Sequence, residues 1–282
     1  HAEHISDICI ILPNRRAGLF LKKHISKRLA QPIWCPDIFS SEDFIKKISG
    51  VEILDPTSLL FELYNVYKKE KGKEAESFDE FSKWAGFLIN DFNDIDSYMA
   101  DASQLFSNLG DIKAIENWSL DGNNLTDFQK EYLKFWDSLG SFYKSFRQAL
   151  ENNKKAYQGL AYRIAADHIE EKIAEHQWEH ILFAGFNAIN TCEEKIINTL
   201  VNSGKAEVIW DSDMYYMNNP QQEAGKFLRK HKQNSMALNK ADDKRSIFIE
   251  ENLLSSDAKK ITIIGAARNI LQAKTAGDII KK

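Results

Sequence analysis

Arg15 and Arg16 follow a continuous apolar run, Ile8-Cys9-Ile10-Ile11-Leu12, and a Pro13-Asn14 break. Two guanidinium groups between a strand end and a helix start suit a phosphodiester backbone, because each offers a planar fork of donors to phosphate oxygens. Their neighbourhood is of one sign. Between Asp7 and Asp37 there is no carboxylate, whereas Arg15, Arg16, Lys22, Lys23, Lys27 and Arg28 all occur there. The competing reading, for the lysines and for Arg15 and Arg16 as well, is a solvated helix face.

Carboxylates offer a second chemistry. Asp211 and Asp213 follow the apolar run Ala206-Glu207-Val208-Ile209-Trp210, where a parallel sheet presents side chains to ligands, so they are candidates for magnesium or a polar network. Asp91, Asp94, Asp96 and Asp101 form another acidic set. As an EF-hand loop it fails, with Asp96 where Gly is needed and Ala102 where Glu is needed. With no basic partner visible nearby, the set reads as a solvated helix end.

Several chemistries have no motif. Gly, four residues, then Gly-Lys-Ser/Thr occurs nowhere, and the single Gly18 after the first strand cannot supply a run of backbone donors for phosphates. The cysteines do not cluster, His176 and His180 share only i, i+4 spacing, and Gly-x-Ser-x-Gly is absent, so zinc and serine-hydrolase chemistry have no basis. No catalytic residue and no metal ligand is assigned.

The elements that must position these residues follow from periodicity. Residues 8–12 read as a buried strand, residues 17–29 as an amphipathic helix, and residues 32–39 as a second extended stretch. Ser40 caps a helix to about Ile48. Residues 56–152 change texture to long helical stripes, opened by Pro56, by a Ser77/Glu80 capping box and by a Thr126/Gln129 capping box. A helix over residues 159–176, a strand over 180–184, a helix opened by Thr191 and Glu194, and a strand over 206–210 then imply a parallel pair. Residues 217–258 read as polar and irregular, and residues 261–265 and 269–280 as a further strand and helix.

The chain has 282 residues, 43% hydrophobic and 28% charged, which is enough apolar content for a buried core and excludes a disordered chain. Its 37 basic and 41 acidic residues give a net charge of -4, so any anion-binding surface must be local. Cys9, Cys35 and Cys192 are odd in number and far apart, as buried free thiols of a reducing cytoplasm would be. No membrane span or signal peptide is seen, and the ends of the sequence read as those of a piece of something longer.

Residues 11–21, Ile-Leu-Pro-Asn-Arg-Arg-Ala-Gly-Leu-Phe-Leu, resemble the N-terminal region of the AddB-like proteins of the Bacteroidetes type. These are long chains with a helicase-like front and a PD-(D/E)XK nuclease at the far end, similar to subunits of the AddAB and RecBCD helicase-nucleases. Residues 180–187 look like that family's Walker B strand, and Val208 to Tyr216 like a worn Gly-Asp-x-x-Gln segment. Glu223-Ala224-Gly225 and Gln272-Ala273 are similar to family segments as well. Ala184-Gly185-Phe186 replaces the acidic Walker B pair, so Ala184, Gly185, Asp211 and Asp213 become positions of a degenerate nucleotide site.

The resemblance implies an α/β fold, a RecA-like parallel sheet sandwiched by helices and interrupted by an all-helical insert. Residues 1–54 and 155–254 would form the RecA-like domain, 55–154 the insert, and 255–282 the start of a following β/α domain. It implies a catalytically silent, cytoplasmic module of an ATP-dependent exonuclease that steers single-stranded or duplex-end DNA beside a helicase-nuclease partner subunit in double-strand-break repair. Arg15 and Arg16 would contact the DNA backbone, with Asn14 beside them and Ser40 and Ser41 on a neighbouring loop completing the DNA-binding set. ATP and magnesium would belong to the intact complex, with no cofactor in this segment. The alternatives are a magnesium-dependent phosphohydrolase or NTPase using Asp211 and Asp213, and a protein-docking scaffold for a motor subunit.

Overall fold

The computed structural model describes residues 7–29, 33–116, 127–238, 245–256 and 258–281. Strand β1 (Ile8–Leu12) leads into helix α1 (Arg15–Arg28), β2 (Asp37–Ser40), α2 (Ser41–Ser49) and the short β3 (Glu52–Ile53). Four helices follow, α3 (Pro56–Lys71), α4 (Phe78–Ser97), α5 (Ala102–Glu116) and α6 (Asp127–Asn152), before β4 (Lys155–Ala156). The chain continues through α7 (Gln158–Asp167), α8 (Ile169–Ala174), β5 (His180–Ala184), α9 (Thr191–Asn202), β6 (Ala206–Asp213) and α10 (Met214–Met217). It ends with α11 (Lys226–Leu238), β7 (Ser246–Glu251), α12 (Leu253–Ser256) and α13 (Arg268–Ile280).

The protein is α/β. Five strands form one parallel sheet in the order β2-β1-β5-β6-β7. The chain winds outward from β1 in one direction to β2 and in the other through β5 to β7, so the winding reverses between β1 and β5. In a doubly wound sheet that is the point where strand ends diverge and leave a crevice. Alternation along the strands assigns the faces. Gly18 of α1 sits against Ile38 and Leu12 on one face. Ile11, Phe183, Val208 and Trp210 point to the other face, where α2, α7 and α9 pack together.

The four helices between β3 and β4 share the core of the sheet, with Phe81, Phe92, Tyr143 and Phe146 among its buried residues. A two-residue parallel pairing, Glu52 with Lys155 and Ile53 with Ala156, brings the two ends of this helical segment together. Close approach of α7 to α4 depends on Gly159, where a Cβ would fall 2.1 Å from the Asn93 carbonyl oxygen.

Local signals explain most of the boundaries. Ser40 accepts from the Asp43 N–H and Ser77 from the Glu80 N–H, as expected of N-caps, and Pro56 opens α3. The cap of α9 differs by one residue: Asn190 and Glu193, not Thr191 and Glu194, exchange the reciprocal bonds of the capping box. Thr126 lies outside the described residues, as do residues 30–32. The helix expected over residues 159–176 breaks at His168 into α7 and α8.

Three expectations are corrected in the C-terminal part. β6 runs on to Asp213 instead of ending at Trp210, because β7 pairs with six of its eight residues, from Val208 with Ser246 to Asp213 with Glu251. Residues 217–258 hold α11 and β7 where irregular chain was expected. Residues 261–265 join no strand ladder, and Ile263 is 92% exposed. Of the cysteines, Cys9 and Cys192 are buried, and burial raises both thiols to about 12, while Cys35 is exposed. No helix among the described residues is long and apolar enough to cross a membrane.

His231 of α11 stacks on Trp210 with ring centroids 4.5 Å apart, and its Nε2 is buried without a hydrogen-bond partner among the described residues. Burial pushes its pKa below the ordinary imidazole value. The folded state therefore favours neutral imidazole, which contributes stability above about pH 6.5 that is lost as pH falls through the depressed folded value. His231→Phe keeps a ring on Trp210 and is expected to flatten the fall in urea midpoint between pH 7 and pH 5. An unchanged acid dependence refutes this assignment.

Candidate nucleic-acid interface

The candidate residues come from the carboxyl ends of four strands, β1, β2, β5 and β6. β1 ends at Leu12, and Asn14 caps α1 by accepting from the Ala17 N–H. Arg15 and Arg16 therefore occupy the first turn of α1, which contains no acidic residue. A helix N-terminus already carries partial positive charge, so two cations there add to a field that attracts anions. Lys22, Lys23, Lys27 and Arg28 continue the basic surface along the exposed side of the helix.

The two arginines are not equivalent. Arg15 donates from Nε and Nη2 to the two carboxylate oxygens of Asp43, at 2.8 and 2.5 Å, and Asp43 also accepts from Ser40 Oγ at 2.7 Å. The Arg15 guanidinium and then the Ser40 hydroxyl hold the Asp43 carboxyl down at about 2. Arg16 instead places its guanidinium 5.7 Å from the centroid of the exposed Phe20 ring. Neither the Asp43 partnership nor the Phe20 contact is among the sequence-based expectations. Phe20 follows Arg16 by one helical turn, a spacing that carries the signal; Asp43 lies 28 residues from Arg15, and nothing local announces it.

Ser40 ends β2 and Ser41 begins α2, so they do not form the expected loop, and both are buried. Ser41 Oγ donates to Glu193 Oε1 at 2.6 Å, and the other oxygen of Glu193 accepts from the Asn190 N–H. Ser41 thereby joins α2 to α9, whereas Ser40 braces the Arg15–Asp43 pair. Gly185 follows β5 with φ +75°, a left-handed conformation that glycine adopts without strain, and packs near Pro13 across the point where the winding reverses. Ala184 pairs with Ile209 at the same edge.

Asp211 and Asp213 are strand residues on one face of β6. Asp213 accepts from the backbone N–H groups of Tyr215 and Leu254. Desolvation opposes its charge, but these N–H groups outweigh it and hold the carboxyl below its ordinary value. Asp211 is exposed beside Ile249. No group of three potential metal-ligating side chains occurs among the described residues.

The acidic set on α4 is not a solvated helix end throughout. Asp96 is fully buried and accepts from Tyr143 at 2.7 Å, from Tyr157, and from Arg147 Nη1 and Arg163 Nη1 at 3.2 Å each. Cys192 Sγ donates to its backbone oxygen at 3.2 Å. Desolvation and then the Asp96 hydrogen bond push Tyr143 up to about 12, and burial likewise raises Tyr157. Asp91 remains on the surface side, its carboxyl raised first by desolvation and then by Asp94.

Two outcomes are expected. Because Asp43 is depressed by Arg15, its stabilising contribution is present above about pH 3.8 and is lost as pH falls towards 2. Arg15→Ala should return the Asp43 carboxyl towards its ordinary value in an NMR titration, and an unmoved Asp43 would show that Ser40 alone suffices. Asp96→Ala leaves two guanidinium groups and two hydroxyls without their shared acceptor, and is expected to cost about 3–5 kcal/mol in urea unfolding. A loss under about 1 kcal/mol would mean that water replaces the carboxylate.

Comparison with protein-family models and with curated proteins finds no match for this chain.

Proposed function

We propose that this chain is the RecA-like, catalytically silent helicase module of an AddB-like exonuclease subunit, which holds single-stranded or duplex-end DNA while a partner motor moves. The observation that carries the reading is the surface of α1. Six cations and no carboxylate line this helix, and its N-terminus opens at the edge where a doubly wound sheet meets its ligands. A parallel sheet flanked by helices, with a helical segment between β3 and β4, is compatible with the interrupted domain of such a module. The replacement of an acidic pair by Ala184 and Gly185, and the use of Asp213 in backbone hydrogen bonds, favour holding DNA over hydrolysing a nucleotide. ATP, magnesium and the nuclease activity belong, on this reading, to the intact complex.

A second reading, a scaffold that docks a motor subunit, draws support from the helical segment. Phe87 is 73% exposed at the rim of a groove of about 560 Å³ lined by Leu54, Leu59, Leu60 and Ile89.

The DNA reading has a salt signature. Binding of a 20-nucleotide single strand, followed by fluorescence anisotropy, should weaken steeply with ionic strength. Replacing both Arg15 and Arg16 by Ala should lower the slope of log K against log salt by about 1.4, or about 0.7 for each phosphate that the chain no longer neutralises. Equal slopes, or no binding by the wild-type chain, would remove the support for the reading.

A further inference from the structure

We infer that the exposed face of α1 is a stacking platform for unpaired bases, in which Phe20 takes a base while the flanking cations hold the phosphates. This rests on the DNA reading above and deepens it, because it commits that surface to single strands over duplex.

The buried side of α1 is set by Gly18, which lies against the sheet. At 100° per residue, Arg16, Phe20, Lys23 and Lys27 fall together on the side turned away from it. Phe20 is 49% exposed and the adjacent Leu19 is 70% exposed, so apolar surface lies directly among the cations of this helix. A second aromatic, Trp34, is 87% exposed in the stretch that leads from α1 to β2. The core gains little from any of the three.

Charge decides the occupant. An apolar protein surface would have to bury Arg16, Lys23 and Lys27 without a single carboxylate from α1 to neutralise them, at a high desolvation cost. A polyanion with apolar, π-bearing faces meets both demands at once. Single strands offer such faces, whereas duplex bases are stacked on each other and show a protein only groove edges and phosphates. The Arg16 guanidinium over the Phe20 ring favours one orientation of that side chain before any base arrives.

The test compares a mixed-sequence 20-nucleotide single strand with a hairpin duplex of equal phosphate count, across a salt series. Phe20→Ala is expected to weaken single-strand binding by about five- to a hundredfold, with the salt slope unchanged and duplex binding unaffected. Phe20→Trp should restore affinity, whereas Phe20→Leu, which keeps apolar bulk, should not. Arg16→Ala should lower the slope instead. If Phe20→Ala binds single strands like wild type, or Phe20→Leu rescues it, stacking is refuted while the DNA reading stands. If the wild-type chain binds neither probe, the DNA reading itself falls and stacking falls with it.

Discussion

One buried carboxylate holds the two halves of this molecule in register. Asp96 comes from α4, whereas its partners come from α6 (Tyr143 and Arg147) and from the start and body of α7 (Tyr157 and Arg163). Its backbone oxygen reaches α9 through Cys192. An isolated carboxylate in such a place would lose its proton only at great cost, so four donors must converge on it. Two of them carry full charge, and Glu151 on Arg147 offsets part of the excess. The arrangement is directional, and it fixes the helical segment against the sheet in a way that apolar packing alone would leave free to slide.

Glu193 plays a related part in the same first turn of α9, next to Cys192. One oxygen closes the cap of its own helix, and the other receives the Ser41 hydroxyl from the start of α2. Together with the Arg15, Asp43 and Ser40 group, this fastens the first turns of α1, α2 and α9 to one edge of the sheet. The basic face of α1 is thereby carried on a braced platform. Its arginines divide the work: Arg15 is half committed to the protein, and Arg16 projects from it.

How much of this is legible in the sequence depends on range. β1, β5 and the caps at Ser40 and Ser77 are local patterns, and they can be read because the physics acts within a few residues. The α9 cap is ambiguous by one residue, since Asn190 and Thr191 are both good caps and only the reciprocal bond to Glu193 decides between them. β7 escapes such a reading because Ser246-Ile247-Phe248-Ile249-Glu250-Glu251 is too polar for a buried-strand signal; it is an edge strand whose partner, β6, supplies the reason to be extended. Asp96 reads as surface charge because its donors lie 47 to 67 residues away. Arg15, Arg16 and Asp213, singled out by residue type and by their place after a predicted strand, do lie at the strand ends, but the partners that hold Arg15 and Asp213 carry no local signal.

The pairing of β3 with β4 gives the molecule a modular character. Because Ile53 lies beside Ala156, the chain leaves the sheet-bearing body and rejoins it within about one strand spacing, some 5 Å. From the viewpoint of the body, the helices in between are a side branch on a two-residue stem. The strand order of the five-stranded sheet is set without passing through that branch, although the helices of the branch share one core with the sheet. Whatever occupies that branch must supply a buried anion at its base, because Arg163 on the body's own α7 donates to the Asp96 carboxylate.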